Sequence, residues 1–116
     1  MKVEDLNKCD DVQKIYKSIF GIYDIDKALL WMAEECGEVI GAVRKGKNIQ
    51  EIKEELGDLL NWIFSVSNIL GIDISSVIKL SLVKEIDRQE EKYGRLKYVS
   101  DVDVDAIMNL YKEIQL

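Results

Sequence analysis

Two stretches that carry carboxylates into otherwise apolar helical sequence constrain this chain most, and the turn residues Gly46 and Lys47 lie midway between them. The first runs from Trp31 to Glu38 and includes Glu34, Glu35 and Glu38; the second runs from Glu54 to Trp62 and includes Glu55 and Asp58. At about 100° per residue, Glu35 and Glu38 fall about 60° apart on one helix face, as do Glu55 and Asp58. A lone Glu-x-x-Glu is also what a solvated acidic stripe looks like, because Glu is a good helix former. Two such pairs are another matter. Folding the stretches into an antiparallel hairpin about Gly46-Lys47 brings Glu35 level with Asp58, Glu38 with Glu55, and Trp31 with Trp62. Both indoles then lie one turn from the acids and at the same end of them.

The segments around this hairpin also read as helical. The chain has no proline, few aromatics and many Leu, Ile, Glu and Lys, which predicts an all-α fold, and 116 residues suit a single domain spanning 1–116. Leu6, Val12, Ile15, Tyr16, Ile19 and Phe20 form one apolar stripe over residues 3–20, ending at Gly21, and predict a core-covering helix. Asp24 or Asp26 can cap a second helix from about Lys27 to Arg44. Asn48 can cap a third, which Gly71 closes and whose buried seam is predicted as Ile52, Leu56, Leu59, Leu60, Ile63, Val66 and Leu70. Asp73, Ser75 or Ser76 can cap a fourth helix that stops at Gly94. A short docking helix is expected from Asp103 to Leu116, with the loop from Gly94 to Asp101 the least defined stretch. The second and third helices are apolar over more surface than short neighbours can cover, so the bundle is expected to be completed by a homodimer or higher homo-oligomer.

Charge and composition exclude several functions. A net charge of −6 and a pI near 4.7 oppose binding of a nucleic-acid polymer through its phosphates. Cys9 and Cys36 are too few for a disulfide scaffold, and the absence of histidine removes the usual zinc sites. The amino-terminal sequence has no apolar signal core and no run approaches a membrane span, which predicts a soluble, cytoplasmic protein that does not engage a membrane. Di-iron bundles use Glu-x-x-His on two helices and P-loop enzymes use a Gly-x-x-x-x-Gly-Lys-Ser/Thr run; the chain has neither.

Four clustered carboxylates repel one another unless cations neutralise them. With oxygen donors only, Mg²⁺ is expected, or Mn²⁺, and an ion of this type that keeps open positions for phosphate oxygens links the cluster to a nucleotide. Lys84 and Arg88, four residues apart on the fourth helix, are candidate ligands for an anionic substrate, although they alternate with Glu85, Asp87, Glu90 and Glu91.

Glu34-Glu35-Cys-Gly-Glu38 followed by Glu55-Leu-Gly-Asp58 resembles the signature of the MazG-like all-α nucleoside triphosphate pyrophosphohydrolases, Glu-Glu-x-x-Glu and then Glu-x-x-Asp. The likeness extends over roughly residues 6 to 80. It implies that Glu35, Glu38, Glu55 and Asp58 hold Mg²⁺, and that Glu34 supports those ligands or positions water. It also implies hydrolysis between the α and β phosphates, giving a nucleoside monophosphate and pyrophosphate. Trp31 and Trp62 are candidates for the nucleobase wall. After the fourth helix, Lys84, Arg88, Lys92, Tyr93 and Gly94 match the family pattern only loosely. Phosphoribosyl-ATP pyrophosphohydrolase shares the two acidic motifs but resembles the chain less around Trp31 and Trp62. The competing reading is a helical interaction module whose acidic, cation-binding patch serves a partner without turnover.

Overall fold

Local chemistry sets the helix boundaries. The computed structural model describes residues 1–115, and the side chains of all of these except 101 and 102. It contains α1 (Val3–Asn7), α2 (Cys9–Phe20), α3 (Ile25–Arg44), α4 (Ile49–Leu70), α5 (Ile74–Tyr93) and α6 (Asp101–Gln115), with no strand among the described residues. Leu116, the expected end of the last helix, lies outside them. The all-α class is therefore as expected. Asp24 caps α3, its Oδ1 accepting from the amides of Asp26 and Lys27 at 2.9 and 3.3 Å, so the helix starts two residues before Lys27. Asn48 caps α4, its Oδ1 accepting from the Glu51 amide at 2.9 Å. Gly71 ends α4 with φ of 67°, a left-handed conformation that costs a glycine little and a side-chain-bearing residue more.

The chain divides into two compact units, Val12–Asp73 and the pair of segments Met1–Asp11 and Ile74–Leu116. In the first, α3 and α4 form the antiparallel hairpin. Ala28 and Ala42, near its two ends, are buried and small enough to let the helices approach. Phe64 of α4 is buried and stacks on Tyr16 of α2 at 4.4 Å, and Tyr16 stacks in turn on Phe20 at 5.7 Å. Gln13 Nε2 donates to the Ile72 carbonyl at 2.8 Å, and Asn68 Nδ2 donates to the Gln13 carbonyl at 3.4 Å, which ties α2 to the end of α4.

In the second unit, Asp10 accepts from the Ser75 amide at 2.9 Å and the Ser75 hydroxyl at 2.7 Å, so an acid brought from α2 serves the first turn of α5. The Tyr111 hydroxyl donates to Asp87 at 2.6 Å and joins α6 to α5. The segment after Gly94, expected to be the least defined stretch, is held: Leu96 is buried and the Lys97 amide donates to Gln89 Oε1 at 3.0 Å.

Two expectations fail in the packing. The first stripe is not one uninterrupted helix, because the backbone turns at Lys8 between α1 and α2. Of its apolar residues only Leu6 is buried and Tyr16 half-buried, whereas Ile15 is 57% and Ile19 70% exposed. Gln13 occupies the inward position instead, where its amide can serve the Ile72 carbonyl. The expected α4 seam is also incomplete, with Leu56, Leu60, Ile63 and Leu70 exposed. No single helix is long and apolar enough to cross a membrane.

Candidate metal and nucleotide site

The register of the α3–α4 hairpin is fixed from both ends. At the turn, Gly46 takes the left-handed conformation at φ 67°, the Gly46 amide donates to the Val43 carbonyl at 3.2 Å, and the Lys47 amide donates to the Ala42 carbonyl at 3.0 Å. At the other end Trp31 and Trp62 meet with ring centroids 5.0 Å apart and planes inclined at 47°. Tyr23 completes the cluster, edge-on to Trp31 at 5.7 Å and tilted against Trp62 at 5.4 Å. Both indoles are half-buried. Aromatic pairs in such arrangements contribute about 0.5–1.5 kcal/mol beyond their area burial.

Between these ends lie the acids. One carboxylate oxygen each from Glu35, Glu55 and Asp58 lie within 4.8 Å of one another. Glu38 falls outside that trio but stands against both Glu35 and Glu55, close enough to share a proton with either. Glu34 is exposed and lines a groove beside Glu38, Glu54 and Glu55. Lys84 and Arg88 belong to the other unit: Lys84 is exposed, and Arg88 is committed to Glu85, with Nε to Oε1 at 2.6 Å and Nη2 to Oε2 at 2.8 Å. That pairing holds the Glu85 carboxyl down at about 2.

The electrostatics of the trio describe a site short of positive charge. Burial, followed by a proton shared with Glu38 and repulsion from Glu38, Asp58 and Glu55, pushes the Glu35 carboxyl up from 4.5 to about 7. Glu55 is raised chiefly by its contact with Glu38, then by burial and by repulsion from Glu38, Asp58 and Glu54. Glu35 Oε2 and Glu55 Oε2 are both buried with no hydrogen-bond partner. Buried polar oxygens are almost always satisfied, and a divalent cation would satisfy these two while neutralising the repulsion. An all-oxygen donor set of this kind fits a hard cation such as Mg²⁺ or Mn²⁺.

The model of the MazG nucleotide pyrophosphohydrolase domain matches residues 24–92, more than half of the chain. The chain belongs to this family. The match takes in Trp31 and Trp62, both acidic pairs and α5 as far as Lys92, but not Tyr23, α1, α2 or α6. No curated protein and no solved structure matches the chain.

Three features of this MazG domain escaped the sequence reading. Tyr23 precedes the α3 cap and so belongs to no helical period. Lys45 and Lys47 flank Gly46, and of the two only Lys47 enters the sequence reading, as a turn residue, yet both line the groove beside Glu38.

The pH dependence follows from the raised carboxyls. In the metal-free protein, Glu35 binds its proton more tightly folded than unfolded, so its contribution to stability is full below about 4.5 and is lost as pH rises through about 7. The melting temperature of the metal-free protein should therefore fall across that interval, and Glu38→Gln should flatten the fall. Mg²⁺ binding near neutral pH should release protons, measurable by calorimetry in buffers of different ionisation enthalpy. A metal-free melting temperature that rises with pH over this interval would contradict the assignment.

Proposed function

We propose that the protein is a Mg²⁺-dependent nucleotide pyrophosphohydrolase that converts a nucleoside triphosphate, or a modified nucleotide, to the monophosphate and pyrophosphate. The observation that carries this reading is the Glu35–Glu55–Asp58 trio, with its two partnerless buried oxygens, inside the segment matched to the family. Glu35, Glu55 and Asp58 hold the metal, and Glu38, in contact with two of them, is the fourth ligand. When bound, Mg²⁺ supplies neutralisation of phosphate charge and acidifies water. In the reaction, a water oxygen bonds to phosphorus, the α–β bridging bond breaks, and the bridging oxygen departs with the leaving phosphate. The proton passes to a carboxylate. Glu34, which lines the groove beside Glu38, orients the water or accepts that proton.

Trp31 and Trp62, with Tyr23, form the wall against which the nucleobase lies, one turn from the acids. Lys84 and Arg88 remain candidate anion ligands, Arg88 only when it leaves Glu85. The whole of residues 1–116 acts as one MazG-like domain in the cytoplasm, without a nucleic-acid or membrane partner. The protein assembles as a homodimer or larger homo-oligomer. Leu30, Ile40 and Val43 of α3 are 58%, 57% and 57% exposed and Leu60 and Ile63 of α4 are exposed too, more apolar helix surface than a lone chain gains by leaving in water.

Glu38→Gln and Asp58→Asn should each lower kcat by more than the about 10–100-fold typical of losing a residue that only supports metal ligands. Folding should survive, and release of repulsion should raise the melting temperature of the metal-free protein. Phosphate-product analysis over a panel of nucleotides checks this; full turnover in both variants, or changed partner binding with no turnover in the wild type, would favour the interaction-module reading. Titration with a non-hydrolysable triphosphate and Mg²⁺ should change tryptophan fluorescence, and Trp62→Leu should raise KM about tenfold, within the ~1–3 kcal/mol typical of base stacking. Unchanged fluorescence and KM would leave the rings structural. Light scattering at micromolar concentration should give at least the dimer mass; a strictly monomeric mass would sink the assembly.

A further inference from the structure

The groove beside the acids has a far end that the catalytic reading leaves unused. It encloses about 620 Å³ and runs from Glu38 and Glu55 toward the Gly46 turn. Gly37 and Gly41, one helical turn apart on α3, form part of its wall, and a Cβ added at either would meet nothing within 4 Å, so the space reaches the helix backbone. Lys45 and Lys47 line its turn end. Among the described residues neither ammonium has an ion-pair partner, although Glu34, Glu51 and Glu54 share the same wall. Two unpaired cations are thus held beside a cluster of carboxylates by a turn whose backbone is fixed by its own hydrogen bonds.

We propose that this groove receives the terminal phosphates of the substrate, with Lys45 and Lys47 contacting the β- and γ-phosphate oxygens. The nucleotide then lies along the hairpin, base toward Tyr23, Trp31 and Trp62, and pyrophosphate toward the turn. This orientation rests on the pyrophosphohydrolase reading. Its geometry is set by one helix: from Trp31 to Lys45 α3 rises about 21 Å, with Glu35 and Glu38 between, a span suited to an extended nucleoside triphosphate met by a lysine side chain. Lysine is a strong point-charge ligand for phosphate. The glutamates of the wall repel free phosphate, so only phosphate already chelated to a divalent cation enters. A diphosphate, one phosphate shorter, reaches the lysines less well, and the groove therefore selects triphosphates.

The test uses the full chain with Mg²⁺, comparing wild type, Lys45→Ala/Lys47→Ala and Lys45→Arg/Lys47→Arg on nucleoside triphosphates and the matching diphosphates. The alanine pair should lose about tenfold in kcat/KM on triphosphates, the usual scale for removing a hydrogen bond to a charged group, with a smaller loss on diphosphates. Binding of magnesium pyrophosphate, followed by calorimetry, should weaken by a similar factor, and the arginine pair should restore both. Both lysines are exposed, so circular dichroism should show an unchanged fold. If wild type turns over triphosphates while the alanine pair keeps the same triphosphate preference and the same pyrophosphate affinity, the orientation is wrong and the activity stands. If wild type hydrolyses no nucleotide, the activity falls and the orientation with it.

Discussion

Carboxylates facing one another across two helices push those helices apart, and in the α3–α4 hairpin the acids are bracketed by attractive contacts. On one side the Trp31–Trp62–Tyr23 contact binds the helices through apolar surface. On the other, the left-handed residue at Gly46 closes the chain in a short hydrogen-bonded turn. The aromatic bracket carries no charge and no ion pair to these acids forms among the described residues, so the repulsion is expressed in protonation, and the Glu35 carboxyl is pushed up to about 7. The fold thus stores a demand for positive charge at one fixed level of the hairpin. A cation bound there would be coupled to stability through the same side chains.

The bracket also explains where the hairpin leaves apolar surface. Ala28 and Ala42 are buried, while the larger Leu30, Ile40, Val43, Leu60 and Ile63 are exposed. α2 adds Ile15 and Ile19 to the exposed set, since its inward position is used by Gln13 and Tyr16. Burial of such side chains is the largest favourable contribution available to a domain of this size, at roughly 25 cal/mol per Å². On these helix faces the chain by itself leaves that contribution unused.

What could be read from the sequence was what local periodicity and punctuation determine. The Gly46 turn, the Asn48 cap and the 3.6-residue period together force Glu35 opposite Asp58 and Trp31 opposite Trp62, and the structure keeps that register. Contacts between distant segments were not legible. Asp10 serves Ser75, and Gln13 serves Ile72, through polar groups that carry no period. Leu96 is anchored in a segment with no helical pattern at all. The stripe over residues 3–20 misled for a related reason: an amphipathic period reveals that a face is apolar but not which surface covers it.

The order of groups along α3 limits where selectivity can arise. Trp31, Glu35 and Glu38 succeed one another on α3 with Lys45 at its C-cap, so their spacing along the axis is set by a rise of about 1.5 Å per residue. Stacking is tolerant of the base, because every base offers a π-face. In the proposed function the carboxylate trio, through a bound cation, would answer to phosphate and to nothing else in a nucleotide. On that proposal, discrimination among bases would come from polar groups outside this row, and Arg88 illustrates the constraint on them: its guanidinium is already satisfied by Glu85, so any role in recognition requires a substrate that competes with a bidentate carboxylate.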